Sequence, residues 1–382
     1  MLTARAFFQN GITAQPRTFD GNSSLASLIP AYPNNFCGPP DPSGLPPNCA
    51  PPNEGASLPT LQLFSAHYRQ PYVQQGSLGL EVQASKDLTV SASYILSKGT
   101  NLQQIRDVNL GGTDPGIITI ANTNTVLSYR AFEDLRPISG FDRILVFNSD
   151  ANSIYHGLAV QANKRFSQNF QLLASYTLSK AIDNKPNVYA LNPGPEASGL
   201  VQDPTHPQSD RGPGSNDQRH RFATGVVWTL NYGSSLPKVA RGVLQGWELS
   251  GILTAQSGQP YSGLINLDLN NDGVFATDRT PGLGRNTFYM PASVSLDPRL
   301  TRNISIGDRA KLQIIWEAFN VLNHANITGV NNVQYTVSDL SSKCGIAPSP
   351  CLVPQNQGLS PFGTPFLSSG ARIMQLAVKV TF

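Results

Sequence analysis

Apolar and polar residues alternate along much of the chain, and this alternation predicts β-strands. Residues 78–84 carry an apolar side chain at every second position, with Glu81 and Gln83 between them. Residues 88–96 continue the pattern across a short turn. Successive side chains of a strand point to opposite faces, so a period of two predicts strands with one apolar and one polar face.

The alternating segments form an internal repeat. Residues 79–86 read GLEVQASK and residues 157–164 read GLAVQANK, while ASYILSK at 92–98 matches ASYTLSK at 174–180. Each copy consists of two predicted strands joined by a short turn. A repeated unit of this kind predicts an array of β-hairpins.

The same alternation recurs in four later segments. Their apolar positions are Phe222, Val226, Trp228 and Leu230; Trp247, Leu249, Leu253 and Ala255; Leu312, Ile314, Trp316 and Ala318; and Met374, Leu376, Val378, Val380 and Phe382. The pattern predicts about ten to twelve strands of roughly 9–12 residues, and a tilted strand that crosses a bilayer needs about 9–11 residues.

The predicted connections alternate between short and long. The short ones are Lys86-Asp87, 167–169 and 307–309, and the long ones are 181–218, 258–292 and 321–370. Short turns at one end and long loops at the other are typical of transmembrane barrels. Long structureless loops are uncommon inside compact soluble domains. The fold class predicted is therefore all-β, an antiparallel transmembrane β-barrel with long extracellular loops.

Composition limits the classes of function. Charged residues make up only 13% of the chain, and Gly (33) and Pro (30) are abundant. The 27 Lys and Arg residues are spread singly, so the sequence predicts no nucleic-acid partner. The first residues lack the apolar core of a signal peptide, and residues 4–8 look like the end of a strand, so we expect Met1 to lie within a longer protein.

Several stretches resemble the C-terminal barrel of Oar-like TonB-dependent receptors. They are HYRQPYVQQGSLGLEVQ (67–83), SYTLSKAIDN (175–184), NDQRHRF (216–222), GWELSGILTAQSGQP (246–260) and EAFNVLNHAN (317–326). The resemblance covers most of residues 60–382 in the same order. It implies location in the cell outer membrane, contact with lipid, and a TonB system that acts through an N-terminal plug. No part of the chain resembles the plug or the regulatory domain of that family.

The resemblance also implies how the chain is organised. The whole of 1–382 would be the C-terminal part of a barrel, with a strand end and a Pro/Gly/Cys loop in 1–60 and successive hairpins in 61–382. A transporter barrel of this class has 22 strands, so about half of the wall would be present. Open sheet edges are unfavourable in lipid, and we expect the chain to be a fragment or to close with another chain.

The last strand resembles the terminal signal that the barrel-assembly machinery recognises. RIMQLAVKVTF places Leu376, Val378, Val380 and Phe382 at alternate positions up to the last residue. We therefore predict that the barrel-assembly machinery is a partner of this chain.

The four cysteines fall into two local pairs in Pro/Gly/Asn-rich loops. Cys37 with Cys49 and Cys344 with Cys351 are candidate disulfides, which would suit an exported chain. Four unrelated thiols are the alternative. Neither spacing is CxxC and no His lies close by in the sequence, which disfavours zinc.

One motif raises the question of a metal. Asp268, Asn270, Asp272 and Gly273 form D-x-N-x-D-G, the opening of an EF-hand-like calcium loop. The twelfth position is Arg279, where that loop requires a bidentate Glu. The sequence therefore leaves two readings open, a loop rich in Asx-turns with no cofactor, or calcium held with help from Asp278.

No residue is predicted to be catalytic, so the chain is not expected to be an enzyme. Asp217, Arg219, His220 and Arg221 form a charged cluster without a nucleophile motif, and a rim cluster of ion pairs explains it better. An outer-membrane hydrolase would need His220 with Asp217.

The polar face would line a hydrated interior, and the aromatic residues would form interfacial girdles. The polar positions are Glu81, Gln83, Gln161, Gln171, Glu248, Gln256, Gln313, Glu317, Gln375 and Lys379, and the girdle candidates are Tyr94, Tyr176, Trp228, Trp247, Trp316 and Phe382. A secreted soluble β-sandwich or adhesin-like module is the main alternative, because it would share the alternation and the loop disulfides. In that alternative, the apolar face would be a dry core.

Overall fold

The computed structural model describes residues 60–139, 141–185, 200–230, 237, 240, 243–274, 278–306, 310–356 and 360–382. The strands in these residues are β1 (Leu61–Phe64), β2 (Tyr72–Gln83), β3 (Leu88–Asp107), β4 (Thr113–Ile120), β5 (Val126–Phe132), β6 (Ile144–Ser167), β7 (Phe170–Asp183), β8 (Gly212–Pro213), β9 (His220–Leu230), β10 (Trp247–Gln256), β11 (Pro260–Tyr261), β12 (Leu264–Ile265), β13 (Phe288–Tyr289), β14 (Ser293–Ile306), β15 (Ala310–Phe319), β16 (Ile327–Val330), β17 (Val333–Ser338), β18 (Cys351–Pro354), β19 (Pro365–Ser368) and β20 (Ile373–Thr381).

Helical structure is minor in the described residues. A 3-10 turn spans Pro207–Asp210, and a single-turn helix, α1, spans Ser341–Cys344. No helix in the described ranges has the length and apolarity that crossing a membrane would require.

One large sheet dominates the fold, and it is antiparallel apart from the parallel pair of β1 with β6. Its strand order is β2-β3-β6-β7-β9-β10-β14-β15-β20, and the short strands β1 and β8 pair with β6 and β7, which gives 11 strands. Strands that are consecutive in this path follow each other in the chain, apart from the short strands of the long connections. This is the hairpin array that the period-two pattern predicts, and the all-β, antiparallel fold class is confirmed.

The two copies of the repeated hairpin lie side by side. β2 and β3 form the first copy, β6 and β7 form the second, and β3 pairs with β6 along both lengths. Within this arrangement Tyr94 is opposite Leu158, and Val160 is opposite Tyr176. The equivalent positions of the two copies therefore have the same orientation toward the two faces of the sheet.

One face of the large sheet is apolar and uncovered. Leu78 on β2 is 78% exposed and Leu376 on β20 is 77% exposed, and residues on inner strands such as Trp228 and Ile314 are also exposed. A soluble sandwich would bury such a face under a second layer. The described residues place no second layer there, which contradicts the dry-core alternative.

The buried core lies instead at the end of the sheet where the long connections meet. Ile105, Leu145, Phe147, Leu200 and Val274 form one apolar cluster between the far ends of β3 and β6 and two of the long connections. β3 has 20 residues and β6 has 24, so both exceed the predicted 9–12 residues. The extra length extends past the other strands and supports the long connections.

The long connections form a sheet of their own, which the sequence pattern did not predict. Its strand order is β12-β17-β18-β4-β5, and it contains parallel pairs of β12 with β17 and of β18 with β4. Ile118, Ile265 and Leu352 form its buried centre. We call this sheet, together with the connections packed around it, the loop layer.

Candidate functional site

The second face of the large sheet is polar across six neighbouring strands. One row of directly paired residues runs Gln171, Val227, Ser250, Arg299, Glu317 and Gln375. Arg299 Nη1 lies 3.1 Å from Glu317 Oε1, and the Gln375 side chain donates a hydrogen bond to Glu317 Oε2. The register places all ten residues predicted for the polar interior on this face.

A groove of about 310 Å³ lies where this polar face meets the long connections. Thr254 and Gln256 of β10, Ser293 and Ser295 of β14, and Asn326 of the 321–370 connection are among its lining residues. Gln256 and Ser293 are the last directly paired residues at this end of β10 and β14. The groove therefore lies between the loop layer and the polar face.

Arg285, which is buried, and Arg279, which is largely buried, connect the 257–292 connection to its neighbour, 184–219. Arg279 Nη2 lies 2.6 Å from Asp210 Oδ1, and both side chains are at most 10% exposed. The Arg285 guanidinium pairs with the Asp183 carboxylate, and its Nε donates to the Asp210 carbonyl at 2.8 Å. Buried charges require such pairing, because an unpaired charge in this environment would cost several kcal/mol.

Asp268, Asp272 and Asp278 lie together in the 257–292 connection, and each offers a carboxylate oxygen within 4.8 Å of the others. Burial and the neighbouring Asp268 charge raise the pKa of Asp272 to about 6. Burial and the two acidic neighbours raise the pKa of Asp278 to about 7. The cluster therefore places three carboxyl groups close together in a buried part of the loop layer, where their charged forms are disfavoured.

The sequence motif and the structural cluster overlap only in part. Asn270 lies beside the cluster, and its side-chain amide donates to Asp272 Oδ2 at 3.3 Å. Arg279, at the twelfth motif position, is bound to Asp210 instead. Asp278, one residue before Arg279, lies in the cluster. The spacing of an EF-hand loop does not by itself predict a ligand at residue 278.

The candidate hydrolase residues Asp217 and His220 have different hydrogen-bond partners. Asp217 is 1% exposed and accepts a hydrogen bond from the Ala181 amide at 2.6 Å, with Arg219 3.7 Å away. His220 Nδ1 lies 2.7 Å from the Tyr176 hydroxyl. The arrangement is that of a turn held by a buried carboxylate rather than of an oriented acid and base.

One candidate disulfide lies in the described residues. Cys344 at the end of α1 is bonded to Cys351 at the start of β18, and both are fully buried beside Ala121. The bond joins the α1 turn to the central strand of the loop layer. Cys37 and Cys49 lie outside the described residues.

Three residues of the candidate assembly signal lie on the last strand, and the fourth directly follows it. Leu376, Val378 and Val380 are opposite Trp316, Ile314 and Leu312 of β15, on the apolar face. Phe382 follows β20 and is 99% exposed.

A pair of contacts on the apolar face was missed by the sequence reasoning. The Tyr94 hydroxyl lies 2.6 Å from His156 Nδ1, and the Tyr176 hydroxyl lies 2.7 Å from His220 Nδ1. Both tyrosines occupy the same position of the repeated ASY segment. That repeat was the available signal, because equivalent tyrosines in adjacent hairpins have equivalent cross-strand neighbours.

Comparison with protein families agrees with this geometry. The family model for the outer membrane beta barrel domain matches residues 3–283 and 275–375. Among solved structures, the outer membrane transporter YddB from Escherichia coli is similar, with 12% identity and a TM-score of 0.43. That similarity covers 85% of this chain and 34% of the other, so the chain spans about a third of that transporter's length. No curated protein sequence matches the chain.

Proposed function

The chain belongs to the outer membrane β-barrel domain family, and from that premise we propose that it forms part of the wall of an Oar-like, TonB-dependent receptor that binds or takes up a ligand. As an outer-membrane protein it has its apolar face against lipid. Its short turns then lie on the periplasmic side, and the loop layer is extracellular.

The polar row from Gln171 to Gln375 is the observation that carries the proposal. Every side chain of this row except Val227 is polar, and such a row on the face opposite the lipid suits a hydrated pathway or contact with a plug. A purely structural wall would not need an ordered layer of loops above this face. The groove beside Gln256 lies between the two, where a captured solute would enter.

The mechanism we propose has two stages. The loop layer captures the ligand outside the cell, and the ligand then passes along the polar face into the periplasm. A TonB system supplies the energy through a plug, which in the resembled family lies N-terminal to the barrel. Among the described residues β2 and β20 each pair on one side only, and their other edges require partner strands, because open backbone groups cost several kcal/mol each in lipid.

Comparative uptake by the native host tests this proposal and does not require the ligand to be identified first. Compounds that disappear from the medium are profiled for the wild type, for a strain lacking this gene, and for a strain depleted of TonB. We expect one class of compound to be consumed more slowly in both mutant strains.

A complementing copy with Glu317→Ala and Arg299→Ala tests the polar row in the same assay. It should restore surface display of the protein but only part of the uptake. A compound whose uptake requires this gene but not TonB would contradict the TonB-dependent mechanism. Equal consumption of every compound in all strains would contradict transport itself.

A further inference from the structure

The acidic cluster of the loop layer contains a buried oxygen that lacks a protein partner. Asp278 is 1% exposed, and among the described residues its Oδ1 has no hydrogen-bond donor. Its Oδ2 accepts from the Leu269 amide and, at 3.1 Å, from the Asn270 amide. A buried carboxylate oxygen without a donor loses its hydration and gains nothing in return, so it is a position where a cation would be favourable.

The side chains that act most strongly on Asp278 are acidic, and the nearby Arg143 guanidinium acts on Asp272 instead. Asp268 and Asp272 place carboxylate oxygens within 4.8 Å of the oxygen that Asp278 offers. Arg279 forms an ion pair with Asp210, and the Arg143 guanidinium donates to the Gly273 carbonyl.

Backbone amides hold the carboxylate oxygens of Asp268 and Asp272 in place, and these oxygens can still accept further bonds. Asp268 accepts from the Asp272 and Gly273 amides, at 3.0 and 2.7 Å, and Asp272 accepts from the Val274 amide at 2.7 Å. Each carboxylate oxygen has a second lone pair, which is available for coordination. Calcium takes six to eight oxygen ligands in irregular geometry, including waters, whereas magnesium demands a near-ideal octahedron.

We propose that Asp268, Asp272 and Asp278, with the Asn270 side-chain oxygen, bind one calcium ion in the extracellular loop layer. The site uses Asp278 in place of the twelfth residue of an EF-hand loop. This explains how a loop with Arg279 at that position can bind calcium, since Arg279 points to Asp210.

The ion would fasten several parts of the loop layer together. The Phe132 amide donates to the Asn270 carbonyl at 2.7 Å, and the Asn270 side chain donates to the Gln202 carbonyl at 3.0 Å. Val274 packs in the apolar cluster with Ile105 and Phe147. Calcium at this point therefore links β5, the 184–219 connection and the far ends of β3 and β6.

Calcium titration of the whole protein, purified from the outer membrane in detergent and stripped with chelator, tests the site. Isothermal titration calorimetry should show one ion bound with a Kd on the order of 10⁻⁴–10⁻³ M, the range of extracellular calcium modules. Calcium should also slow protease cleavage within residues 257–292. Magnesium at the same concentration should do neither.

Asp278→Asn is the critical variant, because it keeps the shape and the acceptor for the Leu269 and Asn270 amides. It should weaken calcium binding about tenfold or more, because affinity follows the charge of the ligands. Asp272→Asn should do the same, and Asp339→Asn, an exposed loop residue, serves as the matched control. Heat-modifiability of each variant on a gel shows that the barrel has folded.

Three results would overturn the proposal. They are no binding by the folded wild type at about 10 mM calcium, which is above the weakest known range; wild-type affinity in folded Asp278→Asn; and an equal loss in Asp339→Asn.

Discussion

Arg285 illustrates how single residues organise the loop layer. Its guanidinium donates to the carbonyls of Asp183, Lys185 and Asp210, besides its ion pair with the Asp183 carboxylate. One side chain thereby donates to three backbone carbonyls, at the end of β7 and in the 184–219 connection. Arginine suits this role because its five donors lie in a fixed plane.

We predict that Arg285→Ala loosens the loop layer and leaves the membrane-embedded sheet intact. Removing one partner of a buried ion pair leaves the other charge uncompensated and costs about 3 kcal/mol or more. Protease cleavage within 184–219 and 257–292 should accelerate, with unchanged heat-modifiability of the barrel. Arg69→Ala, at an exposed arginine, is the control, and equal cleavage of both variants would contradict the prediction.

Single residues also show which features could be predicted from the sequence and which could not. Asp268, Asn270 and Asp272 were identifiable because the D-x-N-x-D-G spacing is local. The partners of Arg279 and Arg285 were not, since they lie in a different connection and are joined by folding of the loop layer. The orphan oxygen of Asp278 is likewise a property of packing, which no spacing encodes.

At the scale of elements, the long hairpins could be predicted and the loop layer could not. In β2, β3, β7 and β20 the membrane requires apolar residues on one face, so the surroundings impose the pattern on the sequence. β12 has two residues, β18 has four, and both form parallel pairs with distant segments. Strands this short carry too few positions for a period of two to be recognised.

Strand tilt gives the aromatic residues of one row different depths in the membrane. Phe170, Trp228, Leu249, Leu300 and Trp316 are successive direct partners on the apolar face. Phe170 is the first residue of β7, next to a periplasmic turn, whereas Trp316 is the seventh residue of β15. The row therefore rises from the inner interface toward the middle of the bilayer, as expected for tilted strands.

Single-tryptophan variants should report this rise. We expect Trp316 to be quenched most by lipids brominated deep in the acyl chain, and Trp228 by lipids brominated near the headgroup. Gln313→Trp in a tryptophan-free background places the ring on the polar face and should escape quenching by both. Strong quenching at position 313 would contradict the assignment of the two faces.

We predict that the end of the last strand is needed for assembly into the outer membrane. Phe382→Ser should reduce the amount of folded protein in the outer membrane severalfold, because the proposed signal ends in an aromatic residue. The loop-layer variant Phe366→Ser removes a ring that is also largely exposed, 71% against 99% for Phe382, and should leave the yield unchanged. Immunoblots of unheated membrane fractions measure the folded form, and equal yields for both variants would exclude a signal role for Phe382.

At the scale of the whole molecule, the two edges of the large sheet determine what else must be present. β2 and β20 each pair on one side in the described residues, so the family assignment implies more wall than these nine long strands supply. Backbone groups exposed to hydrocarbon have no solvent with which to bond. We therefore expect both edges to be paired in the membrane.

Hydrogen exchange can test this expectation on the assembled protein. Amides of β2 should exchange as slowly as those of β7, which is paired on both sides. β5 is the control, because it is an edge strand of the extracellular loop layer and should exchange quickly. Exchange of β2 as fast as that of β5 would mean that the edge is open to water.

The side-by-side position of the two repeated hairpins bears on how such a wall could grow during evolution. Each copy brings two strands, a turn and its own inward and outward alternation, and the second strand of one copy pairs with the first strand of the next. Duplicating the unit in a gene would enlarge the circumference by two strands without reversing any face. Even strand numbers, the rule in single-chain bacterial barrels, would follow from inheritance in whole hairpins.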